Sequence, residues 1–130
     1  MNKITTRTVE AFIDKTGILR IKVFEGVKID LADAVNNFLA FKELSVGQRR
    51  LKLVDGGNYW KSTKDARNYS LKEDVPEKTI AKAILVRGII DLLIYALLIK
   101  RSNPQIPVKV FLFENKALKW LNSFKDKTTY

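Results

Sequence analysis

Hydrophobic and polar residues alternate in two segments near the N-terminus, as they do in β-strands with one buried face. Residues 8–13 and residues 18–24 each carry apolar side chains at every second position. The intervening residues 14–17, DKTG, are typical of a turn, with Gly17 free to take positive φ. The pattern predicts an antiparallel hairpin.

A helical spacing replaces this alternation after Asp30. The apolar positions that recur on one face are Leu31, Ala34, Val35, Phe38 and Leu39. Asp30 is a typical N-cap residue, and Asp33 places a negative charge in the first turn, where it interacts favourably with the helix dipole. We predict an amphipathic helix that ends near Val46-Gly47.

Residues 51–67, LKLVDGGNYWKSTKDAR, predict a strand, a tight turn and the start of a helix. The apolar run stops at Asp55-Gly56-Gly57, and a helix is expected from about Ser62 until Pro76 interrupts it. In open α/β sheets, ligands bind where strand ends and helix N-termini converge. This corner is therefore the first candidate for a functional site.

The C-terminal half continues the alternation of strands and helices. Residues 81–86, AKAILV, predict a strand covered on both faces, and residues 108–113, VKVFLF, predict the last strand. Between them, Gly88 to Lys100 is apolar almost all round, so we expect a helix covered on more than one side. Residues 114–124 predict the closing helix, whose inward stripe is Ala117, Leu118, Leu121 and Phe124.

This order of elements predicts an α/β fold in a single domain spanning residues 1–130. The expected sheet is mixed, with about five strands: the N-terminal hairpin plus parallel strands, flanked by about four helices. A chain of 130 residues is long enough to bury one core, and 46% hydrophobic with 29% charged residues is ordinary for a globular protein.

The composition excludes several kinds of chemistry. The chain has no cysteine and no histidine, which removes disulfides, cysteine nucleophiles, serine-histidine triads and most zinc sites. The carboxylates expected near the corner are Asp55, Asp65 and Glu114, and they lack the spacing of a metal site. Gly56-Gly57 fits neither a dinucleotide-binding nor a P-loop pattern. We predict no catalytic residue, no metal and no cofactor.

The net charge of +10 raises the question of nucleic-acid binding. The basic residues are scattered along the chain and no aromatic RNA-binding motif accompanies them, which favours a solvated basic surface. The apolar stretch 84–99 contains Arg87 and Asp91 and is shorter than the ~20 residues of a membrane span. Residues 1–12 do not resemble a signal peptide, so we expect a cytoplasmic protein without a transmembrane segment.

Basic side chains follow the strands at their expected carboxyl ends. Helix N-termini near Ser62, Gly88 and Glu114 should meet there, and the basic residues in or beside the loops are Lys61, Lys64, Arg67 and Arg87. Helix N-termini and basic side chains suit an anionic group. The alternative is that Arg67 pairs with Asp55 or Glu114 on the surface.

Two further features admit more than one interpretation. Tyr59 and Trp60 are large aromatic residues in a predicted loop, where they either anchor a partner or fold back over the core. The apolar helix from Ile89 to Ile99 is either plainly buried, a wall of a pocket for a hydrophobic ligand, or a homodimer interface.

The segments VDGGN, KDAR, AKAILV and KVFLFENKALKWL, in this order of elements, resemble the SpoIIAA-like or STAS superfamily. The chain looks most similar, over residues 12–124, to small uncharacterised bacterial proteins whose fold is similar to both STAS domains and CRAL-TRIO lipid-transfer domains. In anti-sigma-factor antagonists, an Asp-Ser-Ser-Gly segment carries a phosphorylated serine at a helix start. The matching residues here are Lys61-Ser62-Thr63-Lys64, so Ser62 and Thr63 are candidates for phosphorylation. The flanking Asp and Gly are replaced by lysines, and Ser62 is alternatively an ordinary N-cap.

The resemblance implies a non-enzymatic binding or regulatory module that acts through protein partners at the edge from Asp55 to Arg67. The alternative is a carrier or sensor of a small hydrophobic or anionic ligand, such as a lipid or nucleotide. The residues predicted to bind the partner or ligand are Asp55, Gly56, Gly57, Tyr59, Trp60, Ser62, Thr63, Lys64, Arg67 and Arg87.

Overall fold

The computed structural model describes residues 2–56 and 61–125. The strands are β1 (Lys3–Thr5), β2 (Val9–Ile13), β3 (Leu19–Val23), β4 (Lys28–Ile29), β5 (Arg50–Asp55), β6 (Lys61–Ser62), β7 (Thr79–Leu85) and β8 (Val108–Phe111). The helices are α1 (Leu31–Ser45), α2 (Lys64–Glu73), α3 (Ile89–Ser102) and α4 (Glu114–Asn122). The predicted site residues Gly57, Tyr59 and Trp60 lie outside the described residues.

Six strands form the main sheet in the order β1-β2-β3-β5-β7-β8. β2 and β3 form the predicted hairpin, and β3, β5, β7 and β8 are parallel, so the predicted mixed α/β sheet is confirmed. The described strands outnumber the predicted five. β1 adds an antiparallel edge, and β4 pairs with β6 in a small separate sheet. β1, β4 and β6 have two or three residues each, too few to produce a recognisable alternation of apolar and polar residues.

The alternation along the strands separates two cores, one on each face of the sheet. The face covered by α1, α2 and α3 is built on Ile21, Val54 and Ile84. The other face packs Leu53 and its neighbours against α4, whose Ala117 and Leu121 are buried as predicted. A sheet covered on both faces leaves little room for charge within its central strands.

The start of α1 is held by a capping box. The Asp30 carboxylate accepts from the Asp33 amide at 2.9 Å, and the Asp33 carboxylate accepts from the Asp30 amide at 3.0 Å, which confirms the predicted N-cap. Arg7 also donates from Nε to Asp33 at 2.8 Å. The helix ends at Val46, whose φ of 50° is rarely adopted by β-branched residues.

α2 begins one residue later than predicted. Thr63 is its N-cap and accepts from the Ala66 amide at 3.1 Å, whereas Ser62 belongs to β6. Of the two residues at the predicted start, Thr63 and not Ser62 is the cap, because pairing between β4 and β6 holds Ser62 in an extended conformation. The helix ends at Glu73, before Pro76, as expected.

The prediction that α3 is covered on more than one side is wrong, because no residue of this helix is buried. Leu92, Tyr95 and Ile99 pack against the core from one side. The opposite side exposes Ile89, Ile90, Leu93, Ile94, Leu97 and, in part, Leu98. α3 lies over β8, the edge strand of the sheet, so only one side of the helix meets another layer.

Candidate binding pocket

A pocket of about 200 Å³ lies between α2 and α3, above the parallel strands. Each helix lines it with residues spaced i, i+3, i+4 and i+7, which share one helix face. The first wall is formed by Arg67, Ser70 and Leu71 of α2 with Asp74, the residue after the helix, and the α3 residues are Tyr95, Leu98, Ile99 and Ser102. The facing sides of two neighbouring helices therefore form the walls.

The floor of the pocket is an apolar row across the sheet. Ile21, Val54 and Ile84 are register partners on β3, β5 and β7, and all three line the pocket. Phe38 and Phe41 of α1 close it from the side. Most of the lining is therefore apolar, the usual composition of a small-molecule site.

One end of the pocket contains a charged cluster, which we call the Lys-Asp-Lys cluster: Lys52, Asp74 and Lys82. Lys52 and Lys82 are register partners on β5 and β7, so they lie side by side on the same face of the sheet. Asp74, which follows α2, accepts from Lys52 Nζ at 2.6 Å and from Lys82 Nζ at 2.9 Å. Lys52 and Asp74 are each only 5% exposed.

Burial and ion pairing act in opposite directions on this cluster. Burial alone would raise the pKa of Asp74, but the charges of Lys82 and Lys52 outweigh it and lower that pKa to about 2. Burial lowers the pKa of Lys52, although Asp74 counteracts part of this effect. The Lys52 ammonium also lies 4.7 Å from the centre of the Phe38 ring, a cation–π contact.

The opposite end of the pocket is polar and more accessible. Exposed Arg67 donates to the backbone carbonyl of Ser62, which also lines the pocket. Tyr95 lies on the opposite wall, where burial and then the charge of Asp91 raise its pKa to about 12, while Arg67 acts to lower it. The pocket therefore has a buried charged end and an exposed basic end.

The structure separates most of the predicted site residues from the pocket. Asp55 ends β5, and Gly56 donates its amide to the Leu85 carbonyl at 3.0 Å. Thr63 uses its hydroxyl as the α2 cap, whereas Lys64 and Arg87 are exposed at the starts of α2 and α3. Of the predicted binding residues that the structure describes, Ser62 and Arg67 line the pocket. Glu114, considered as a partner for Arg67, pairs with Arg20 at 3.4 Å.

The Lys-Asp-Lys cluster was not predicted from the sequence. Its signal is a single charge inside each of two apolar strands, Lys52 in LKLV and Lys82 in AKAILV. If both faces of the sheet are covered, such a lysine must point into a layer of side chains and needs a buried partner. The sequence does not identify Asp74 as that partner, because 21 residues separate it from Lys52.

Within residues 2–56 and 61–125, no group of three or more aspartates or glutamates could hold a metal ion. The helices of these ranges lack the length and the continuous apolar run that a membrane span needs.

The fold defines a SpoIIAA-like α/β domain, here with an apolar pocket on one face of the sheet. A crystal structure of an uncharacterised DUF3478-family protein from Shewanella loihica PV-4, described as having a SpoIIAA-like fold, is similar over 93% of this chain and 98% of that one. Its TM-score is 0.65 at 17% identity, a likeness in fold.

The chain belongs to the family described as domain of unknown function DUF7793, whose family model matches residues 12–125. A protein with unknown function from Arthrobacter sp. FB24 is 24% identical over 91% of this chain and 95% of that one, with a TM-score of 0.35. No curated protein matches the chain.

Proposed function

We propose that this domain is a non-enzymatic binding module that takes up a small apolar or amphipathic ligand in the pocket between α2 and α3. The observation that carries the proposal is the pocket itself, about 200 Å³ with walls and floor that are mostly apolar. A buried apolar cavity of ~150 Å³ already binds benzene. A pocket of this size and composition suits an aliphatic chain or a ring.

The two serine hydroxyls that line the pocket are not arranged as nucleophiles. The Ser70 hydroxyl donates to the Ala66 carbonyl at 3.2 Å, and the Ser102 hydroxyl donates to the Leu98 carbonyl at 2.6 Å. Each hydroxyl donates to a backbone carbonyl of its own helix. In the described part of the chain, neither hydroxyl is hydrogen-bonded to a general base. A nucleophile requires such a base or a lowered pKa.

A substitution that fills the pocket should abolish binding. Ser70→Leu places a larger apolar side chain on the pocket wall at the cost of a bond within α2, so the helix should remain folded. We expect octan-1-ol to bind the wild-type domain saturably and to bind the variant at least about tenfold more weakly. A two-dimensional NMR titration would measure the affinity and locate the site through the amides of Tyr95, Leu98 and Ile99.

Asn68→Leu provides the matched control, because Asn68 is exposed on α2 and does not line the pocket. This variant should bind octan-1-ol like the wild type. Absence of saturable binding to the folded wild-type domain, or equal binding by the Ser70 and Asn68 variants, would contradict the proposal.

The exposed face of α3 favours a second function, association with another copy of this chain. Ile89, Ile90 and Leu93 are 63%, 70% and 65% exposed, and Ile94, Leu97 and Leu98 continue the patch. These six apolar side chains share the exposed side of α3, and exposed apolar patches of this kind mark interaction sites. A two-fold contact would place the patch of one copy against the same patch of another and remove both from water.

Binding of other protein partners at the edge from Asp55 to Arg67 stays a prediction. Phosphorylation of Ser62 or Thr63 also stays a prediction.

Leu93→Glu tests the proposed dimer through the exposed face of α3. A charge in the middle of the patch would be buried against its own copy, so the variant should be monomeric where the wild type is dimeric, with twice the 14.9 kDa of the chain. Because each copy carries +10, salt should favour the dimer by screening the repulsion. Sedimentation velocity at low and high salt would measure both effects.

Leu39→Glu serves as the control, since Leu39 is an apolar residue of α1 that is 59% exposed. It should leave the dimer intact. A wild-type domain that stays monomeric at millimolar concentration would rule out this second function without affecting the first.

A further inference from the structure

We propose that the ligand of the pocket is an amphipathic monoanion whose acidic head group is bound by Lys52 and Lys82. This inference rests on the proposed function, since it requires that the pocket holds a ligand. It adds the chemical class of that ligand, a carboxylate or a similar singly charged oxyanion with an aliphatic tail, and it assigns the end of the pocket where the head group lies.

The first argument is the charge of the Lys-Asp-Lys cluster. Two lysines share one aspartate, so the cluster carries one positive charge in excess when all three groups are ionised. Glu73 also acts on Lys52, but it pairs with Lys78 at 3.4 Å, so the wider group keeps the same excess. Lys52 and Asp74 are buried, and Lys82 is half-buried. An excess charge in such surroundings is costly unless another group compensates it. One negative charge at this end of the pocket would make the cluster neutral.

The second argument is the supply of hydrogen-bond donors. Each ammonium group has three N–H donors. In the described part of the chain, the hydrogen bonds from both ammonium groups end on Asp74, whose Oδ1 also accepts from the Thr79 hydroxyl at 3.3 Å. Both oxygens of Asp74 are thus already engaged, whereas Lys52 and Lys82 retain N–H groups that can donate to a ligand oxygen.

The third argument is position. Lys52 and Lys82 stand on neighbouring strands, ~4.8 Å apart, on the face that forms the pocket floor. Both side chains line the pocket. The apolar row formed by Ile21, Val54 and Ile84 occupies the next position on the same face of the strands, two residues further along. A head group that accepts from the two ammonium groups on their pocket side would therefore leave its tail over this apolar row and between α2 and α3.

Charge selectivity in the wild-type domain is the first test. Octanoate, octan-1-ol and octylammonium have the same chain and differ in head-group charge. We expect octanoate to bind at least about tenfold more tightly than octan-1-ol, because a charge-assisted hydrogen bond adds to the same apolar contact. Octylammonium should bind most weakly. Isothermal titration calorimetry on the full chain would measure all three affinities.

Lys82→Met is the second test, because it removes the excess charge and leaves the buried Lys52–Asp74 pair balanced. Octanoate affinity should fall at least about tenfold. Octan-1-ol affinity should fall by much less, because its uncharged hydroxyl loses only a weaker hydrogen bond. Lys72→Met is the matched control. It changes the net charge equally at an exposed position of α2 outside the pocket and should leave octanoate binding unchanged.

The outcomes separate this inference from the function on which it rests. If octan-1-ol and octanoate bind equally, or if Lys82→Met leaves octanoate binding unchanged, the head-group assignment is wrong and the apolar pocket stands. If none of the three probes binds the folded wild-type domain, the proposed function fails as well. Should Lys82→Met fail to fold, the order of the three affinities in the wild type still decides the head-group charge.

Discussion

Replacing Asp74 with asparagine is expected to lower the free energy of unfolding by about 3–5 kcal/mol, because it leaves buried positive charge without a counter-charge. The carboxylate is 5% exposed and binds both Lys52, at 2.6 Å, and Lys82, at 2.9 Å. An asparagine of the same shape offers one acceptor oxygen and points an NH₂ group at the other ammonium. Chemical denaturation at neutral pH would measure the loss.

Two further variants isolate the cause of this loss. Glu77→Gln removes the same charge at an exposed position in the turn after α2, so it should change stability by no more than about 0.5 kcal/mol. Adding Lys82→Met to Asp74→Asn should restore part of the stability, since it removes one of the two uncompensated ammonium groups. A loss below about 1 kcal/mol for Asp74→Asn would show that the cluster is not charged in the folded protein.

Acid should destabilise the domain by about 3 kcal/mol between about pH 6 and about pH 2 through two carboxylates. Asp74 and Asp33 have their pKa values lowered from 3.8 to about 2, Asp74 by the two lysines against the effect of burial and Asp33 chiefly by its hydrogen bond to Arg7. We assign about 2 kcal/mol to Asp74 and about 1 kcal/mol to Asp33, because solvent screens the exposed Arg7 guanidinium.

The direction follows from proton linkage. A carboxyl group with a lower pKa in the folded state stabilises the fold fully above its unfolded pKa of ~3.9, and this contribution is lost as the pH falls through the folded pKa of about 2. Lys52 does not affect this range, since its lowered pKa acts on the alkaline side. Denaturation curves across this pH range would measure the loss, and Asp33→Asn should reduce it by about 1 kcal/mol. A stability independent of pH down to about pH 2 would contradict both ion-pair assignments.

The pattern of the chain was sufficient to predict the elements that build the pocket, because local signals determine them. The Asp30 cap, the alternation in β2 and β3 and the stop before Pro76 are all found where the sequence places them. The start of α2 was missed by one residue. Ser62 and Thr63 are both good caps by type, and the choice between them depends on pairing with β4, which comes from a distant segment.

The exposed face of α3 could not be recognised in the sequence. A helix that is apolar all round is expected in the middle of a protein. Because α3 packs over β8, an edge strand, another layer covers it on one side only. Whether the remaining face meets solvent or a second copy is a property of the surface, which a one-dimensional pattern does not contain.

The sequence by itself determined the α/β order, the Asp30 cap and the exclusion of histidine and cysteine chemistry, because these depend on residue type and short-range spacing. The tertiary structure alone decided that Lys52, Asp74 and Lys82 meet at one end of an apolar pocket. These residues come from β5, the end of α2 and β7. The parallel register of β5 and β7 places the two lysines side by side, and the position of α2 over this face of the sheet brings Asp74 to them. The residue types at the three positions predict neither arrangement.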